Sequence, residues 1–253
     1  MSDNVAARLE REKQFHDHAF ADNVRAPVRK YYTVVERSRK RYTHLIASGC
    51  SGKSVLEYGC GTGSAAFHLA QRGARVIGID ISPVAIEKAT AMARELGIED
   101  RLTFTTMDAE HLEFADASFD LVCGTGVLHH LSLDQAYKEI ARVLKTSGRA
   151  VFSEPLGHNL LINLYRRLTP RYRTVDEHPL LGKDLVKAKR FFGRVDVDYY
   201  HLLGLAAVPF RRLPFFPQLL SVLDSVDAFL LRLPSVRNQA WMIVMVLASP
   251  RKE

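Results

Sequence analysis

The sequence predicts an α/β protein built on a doubly wound, mostly parallel sheet, and three observations carry that expectation. Between Ser54 and Glu154 short apolar runs alternate with amphipathic stretches, the pattern of repeated strand-helix units. The first run ends in a loop with glycine at 59, 61 and 63, and the second ends in an acidic residue, Asp80. A carboxylate about 20 residues beyond a glycine loop suits a nucleoside ribose.

Strands are expected near 54–58, 75–80, 102–107, 119–124 and 148–154. Ser82-Pro83 reads as an N-cap followed by proline at the first helical position, with Gly97 as the stop. Ser132 and Gln135 have capping-box spacing, and Ala136, Ile140, Val143 and Leu144 fall on one face of the helix that follows. Beyond Glu154 the rhythm changes. Residues 194–201 alternate like a strand, and a last strand is expected at 240–248. The apolar stretch between them is too long for a hairpin loop and should form helices of its own. The chain is therefore divided as one domain, 1–253, with an N-terminal helical cap (1–48), a cofactor-binding core (49–155), a basic insertion (156–192) and a last strand pair (193–253) that holds an apolar helical insertion at 202–238.

With 47% hydrophobic and 25% charged residues, the composition excludes a disordered or collagen-like chain. Cys50, Cys60 and Cys123 are odd in number and form no C-x-x-C pair, so neither a disulfide framework nor a zinc knuckle is expected and a cytoplasmic location fits. The charged start MSDNVAARLEREKQF is unlike a signal peptide, and no run reaches the roughly 18 apolar residues of a membrane span. The net charge of +7 is uneven: residues 49–154 carry fourteen Asp/Glu against ten Lys/Arg, whereas 155–192 carry three against eight. Basic flanks around an acidic centre point to an anionic partner, or to ordinary solvated helix faces.

The segment VLEYGCGTGSAAFHLA, residues 55–70, joins a buried strand to a loop in which the backbone can turn sharply and approach a ligand. Together with VIGIDIS, MDAEHLEF and FDLVCGTGVLHHL in this order, it resembles the class I S-adenosylmethionine-dependent methyltransferases, in particular the type 11 branch that includes quinone-biosynthesis enzymes. The resemblance covers residues 54 to 155 and implies a Rossmann-like fold with an antiparallel last strand, with S-adenosyl-L-methionine as cofactor. It further implies that the backbone of Gly59, Cys60, Gly61 and Gly63 passes the methionine part of the cofactor, with Glu57 acting through the loop. Asp80 would take the ribose, Ile81 the adenine face, and Asp108 with Ala109 the adenine edge; Gly124 would lie at the fourth strand's end. The alternative for Asp80 and Asp108 is a local cap, and for Glu57 a structural carboxylate. A nicotinamide oxidoreductase would need glycine where Ser64 stands.

A sulfonium is already a strong methyl donor, so alignment and exclusion of water are the main tasks, and a base helps when the acceptor is a hydroxyl or an activated carbon. His129 and His130 follow the fourth strand at the carboxyl edge, where open α/β sheets bind ligands; the sequence does not distinguish which faces the acceptor. Glu154 and His158 form a second polar cluster on that edge, suited either to orienting the acceptor or to closing a turn. Asp176, Glu177 and His178 suit an acceptor site or a cap on the helix opening at Lys183. No spacing matches a motif such as H-E-x-x-H, so no catalytic metal is expected. The acceptor expected is a small, partly apolar or anionic metabolite of lipid, quinone or polyketide type.

Two further functions stay open. Arg166, Arg167, Arg171 and Arg173, interleaved with Tyr165 and Tyr172, fit an RNA methyltransferase, although no N-P-P-Y-type strand end is present and nucleic acid is not the expected partner. The other is a non-catalytic cofactor-binding scaffold. The insertion at 202–238, with Arg211, Arg212, Arg232 and Arg237, suits core packing, a homodimer face, an apolar substrate roof or contact with a membrane surface.

Overall fold

The computed structural model describes residues 3–22, 33–63, 65–169 and 176–252 of the 253-residue chain. Helices α1 (Asp3–Asp22) and α2 (Glu36–Ala47) precede the sheet. Then come β1 (Ser54–Tyr58), α3 (Ala66–Gln71), β2 (Arg75–Asp80), α4 (Pro83–Glu95), β3 (Leu102–Thr106), β4 (Phe119–Thr125), α5 (Leu133–Val143) and β5 (Leu144–Pro155). The C-terminal part adds α6 (Leu160–Leu168), α7 (Gly182–Lys187), β6 (Phe192–Tyr200), α8 (Phe216–Leu230), α9 (Pro234–Arg237) and β7 (Met242–Pro250).

The strands form one sheet in the order β3-β2-β1-β4-β5-β7-β6, with β7 inserted antiparallel between β5 and β6. The other neighbours are parallel, so all five strands of the central region end on one edge. The order reverses between β1 and β4, and a crevice opens at such a switch point.

Alternation along the strands feeds two cores on opposite faces. Leu56, Tyr58, Val122, Ala150 and Phe152 pack with Tyr137 and Ile140 of α5. Val55, Leu121, Cys123 and Val151 pack with Ile46 of α2 and Leu69 of α3. A third cluster joins Val34, Ile162, Ala207, Leu220 and Trp241. The helices expected within 202–238 are present and pack there along one side, while Phe215, Val222 and Phe229 on the other side are exposed. No helix among the described residues is long and apolar enough to cross a membrane.

Local chemistry sets the element ends. Ser82 Oγ accepts the Ala85 N–H, as a cap should. Ser132 makes no side-chain cap; its own N–H donates to Glu110 Oε1 at 2.7 Å, so the reciprocal bond expected with Gln135 does not form. Strand β5 starts four residues before the predicted 148, because Leu144 already pairs with Phe119 and the register then shifts so that Arg149 meets Leu121. Ser64, Arg171, Tyr172 and Arg173 lie outside the described residues, as does the side chain of Tyr165.

Phe152 is fully buried and meets the Tyr58 ring edge to face at 6.0 Å. Phe152→Ala should lower stability by about 3–5 kcal/mol, measured as a reduced urea midpoint with an unchanged m-value.

Candidate active site

The loop after β1 is shaped by backbone conformations that favour glycine. Gly59 has φ +58°, and a Cβ there would stand 2.7 Å from the Val127 side chain; Gly63 has φ +93° and would collide with Phe67. The loop is tied to β2 by Cys60 N–H donating to Ile79 O at 2.9 Å and closed by Gly63 N–H donating to Cys60 O at 2.7 Å. Glu57, buried at the end of β1, accepts the N–H groups of Ala65 and Ala66 at 2.9 and 2.8 Å. Its negative charge therefore sits on the opening turn of α3 and fixes where the loop returns.

Asp80 ends β2 and spans two loops: Oδ2 accepts Gly61 N–H at 2.8 Å, and Oδ1 accepts Ser82 N–H at 2.9 Å. Asp108 Oδ1 accepts Glu110 N–H at 2.9 Å, and its Oδ2 meets His111 Nδ1 at 2.8 Å. Both acidic residues thus make local caps, and both also face a partly open cavity of about 190 Å³ at the carboxyl edge. Gly59, Ile81 and Ala109 share that cavity, with Ile79, Met107, Val127 and Leu131 as apolar walls.

Other expected cofactor residues stand behind it. The Cys60 thiol points at Gly78 of β2, 3.0 Å from where a Cβ would be, and burial pushes its pKa up. Gly124 lies within the sheet, where a Cβ would meet Phe152, Val127 and the Tyr58 carbonyl. Gly126, two residues on with φ +64°, takes the cavity wall in its place. Gly61 is covered by the Phe20 ring of α1, about 3.0 Å from its Cβ position.

That covering helix is the part of the site sequence reasoning missed. Arg8, Glu12, His16 and Phe20 recur every fourth residue, so they form one stripe on α1, and all four line the cavity. The spacing was visible; the surface it faces was not. The helix is fastened by Arg8 to Glu110 at 2.6 Å and to His130 O at 2.9 Å, by Arg11 to Asp176 at 2.9 Å, and by Asp17 to Ser82.

The histidine pair occupies a 3-10 turn, Leu128–His130, and its two rings play different parts. His129 Nδ1 lies 2.7 Å from Glu154 Oε2, while Glu154 Oε1 accepts the N–H groups of Val127 and Leu128 at 2.9 and 3.0 Å. His130 lines the cavity, with Nδ1 3.1 Å from Glu12 Oε2. Its ring lies 5.3 Å from that of His16 and 4.2 Å from that of His129. His158 is away from the cavity, where its Nε2 accepts Gly182 N–H at 3.0 Å at the start of α7. Asp176, Glu177 and His178 do not cap α7, where Asp184 accepts the Leu181 N–H instead. Asp176 pairs with Arg11, and His178, exposed, meets His129 through its main-chain N–H to the carbonyl. Glu177 turns toward the histidine pair, where it pairs with Arg166 and comes within 3.9 Å of His129 Nε2. Arg166 is thereby drawn inward rather than offered to a phosphate backbone.

A mostly parallel sheet that reverses at this crevice, with a glycine loop on one side and a carboxylate at the next strand end, defines a Rossmann-like, nucleoside-binding type of fold. Residues 56–152 match the family described as Methyltransferase domain, in agreement with the resemblance to the type 11 methyltransferases. The chain is 40% identical to Methyltransferase GfsG of Streptomyces halstedii over 69% of this chain and 62% of that one. It is 36% identical to the 27-O-demethylrifamycin SV methyltransferase of Amycolatopsis mediterranei over 44% and 40%. The chain therefore spans less than two thirds of the length of either relative. Among solved structures, phosphoethanolamine N-methyltransferase 2 of Haemonchus contortus, in complex with S-adenosyl-L-methionine, superposes with a TM-score of 0.65 at 16% identity, over 94% of this chain and 60% of that one.

Burial pushes the Glu154 carboxyl from its ordinary 4.5 up to about 7, against the opposing pull of its backbone donors. Between those values the folded chain holds this proton more tightly than the unfolded chain. The stability it contributes is therefore complete below pH 4.5 and is lost as pH rises through 7. Replacement by Gln removes the ionisation. Denaturant titrations should show Glu154→Gln losing less stability than the parent over that interval, by a difference of the order of 3 kcal/mol.

Proposed function

We propose that the protein transfers a methyl group from S-adenosylmethionine to a hydroxyl of a small, largely apolar metabolite of polyketide or lipid type. The observation that carries this reading is the cavity itself: the glycine loop and Asp80 lie on one wall, and a buried histidine backed by a histidine-carboxylate pair lies on another.

The cofactor supplies an electrophilic methyl on a sulfonium. On this chain, the Gly59–Gly63 backbone would admit its amino acid part, with Glu57 holding the loop in place. Asp80 is already committed to two N–H donors but retains lone pairs for two ribose hydroxyls. Ile81 and Met107 offer faces to an adenine ring, and Asp108 with the Ala109 amide reads its edge. Cys60, Gly61, Gly63 and Gly124 act through backbone shape.

The acceptor would enter at the His130 end, between Leu9, Val127 and Leu131. His130 is the group placed to meet an acceptor hydroxyl. His129 and Glu154 are positioning residues, which set the turn that carries His130 through three bonds to one carboxylate. Apolar walls at this end exclude water, which would otherwise compete for the acceptor oxygen. The name of one relative, 27-O-demethylrifamycin SV methyltransferase, supports a small-molecule acceptor methylated on oxygen.

Calorimetry with S-adenosylhomocysteine should give tight binding to the parent chain, weakened about 10- to 100-fold in Asp80→Asn, with the thermal midpoint reported alongside. Incubation with cofactor labelled in the methyl group and an extract of hydroxylated apolar metabolites should yield a labelled methyl ether. Binding without transfer to any acceptor would instead identify a scaffold, and label in bulk RNA would identify a nucleic-acid substrate.

A further inference from the structure

Nothing in the linear spacing marks a metal site, yet the fold gathers two imidazoles and a carboxylate at one point of the cavity wall. Glu12 and His16 stand one helical turn apart on α1, and His130 comes from the turn after β4. Glu12 Oε2 is 3.1 Å from His130 Nδ1 and 3.6 Å from His16 Nε2, and the three donor atoms all lie within 4.8 Å of one another. An ion held at about 2.0–2.2 Å by tetrahedral ligands sets those ligands roughly 3.3–3.6 Å apart. The separations of 3.1 and 3.6 Å from Glu12 Oε2 lie close to that range, with the two imidazole nitrogens within 4.8 Å of each other. A second observation agrees. Both ring nitrogens of His130 are buried without a hydrogen bond of acceptable geometry among the described residues, a state that costs free energy unless something else meets them.

We infer that Glu12, His16 and His130 form a divalent transition-metal site, whose open position faces the cavity and receives the acceptor oxygen. Two imidazoles with one carboxylate select ions of the zinc, cobalt or iron(II) class over magnesium and calcium, which prefer oxygen ligands throughout. The ion would serve two ends: in place of direct contact with His130 it would bind the acceptor hydroxyl and lower its pKa, so that the proton leaves to solvent as the oxygen takes the methyl group, and it would clamp α1 onto the carboxyl edge. This deepens the acceptor reading given above and rests on it for the hydroxyl, while the ion's binding is independent of transfer.

The test uses the tag-free full chain, stripped with chelator and titrated with CoCl2. One equivalent should bind and give a visible ligand-field band typical of low-coordinate cobalt, and ZnCl2 should displace it. Glu12→Gln and His16→Ala should each abolish the band and weaken binding at least tenfold, while His18→Ala, an exposed residue on the same helix, should leave both unchanged. Circular dichroism and thermal melting establish that the variants are folded. Absence of stoichiometric cobalt, or a band that persists in folded Glu12→Gln and His16→Ala, overturns the inference. S-adenosylhomocysteine binding measured on the same samples separates the two ideas: retained binding with no cobalt refutes the metal site alone, and loss of both refutes the active-site reading as well.

Discussion

The carboxyl edge of this sheet depends on one recurring interaction, a buried carboxylate at a strand end that accepts main-chain N–H groups of a neighbouring loop. Glu57 does this for the start of α3, Asp80 for the glycine loop and the start of α4, and Glu154 for the turn that carries the histidines. Glu110, in the loop after β3, does the same for Ser132. A carboxylate removed from water must be met by donors, and loop amides with no helix or strand partner need acceptors. Each requirement answers the other, so loops that would otherwise be loose are fixed to within hydrogen-bond tolerance. The cavity inherits its shape from those bonds.

Much of this was legible from residue pattern. The five central strands, the Ser82 cap and the placement of Gly59 and Asp80 on one edge follow from apolar alternation and from glycine and acid spacing, which are local properties, whereas Ile81, Asp108 and Ala109 were pointed to by the family resemblance alone. The roles of His129 and His130 were not. Both sit in the same short turn, and the direction of each ring is decided by partners distant in sequence: Glu154 for one, Glu12 for the other. His158 likewise reads as a site residue from its neighbours Pro155 and Gly157 but is captured by the Gly182 amide. Side-chain direction in a polar turn is a tertiary property, whereas strand periodicity is not.

The N-terminal helix illustrates the same limit from the other side. Its stripe of Arg8, Glu12, His16 and Phe20 has the right period for a packed face, but a face of mixed charge looks solvated when read alone. In the fold it is the outer wall of the cavity. Its polar residues are matched one by one: Arg8 with Glu110, Arg11 with Asp176 and Asp17 with Ser82.

Such a wall bears on how a ligand enters. With Phe20 against Gly61 and α1 pinned at several points along its length, a nucleoside that approaches the Gly61 side of the loop must displace that ring. Salt acts unevenly on those fastenings: the exposed Arg11–Asp176 pair is screened first, whereas Arg8–Glu110, largely removed from water, is screened much less.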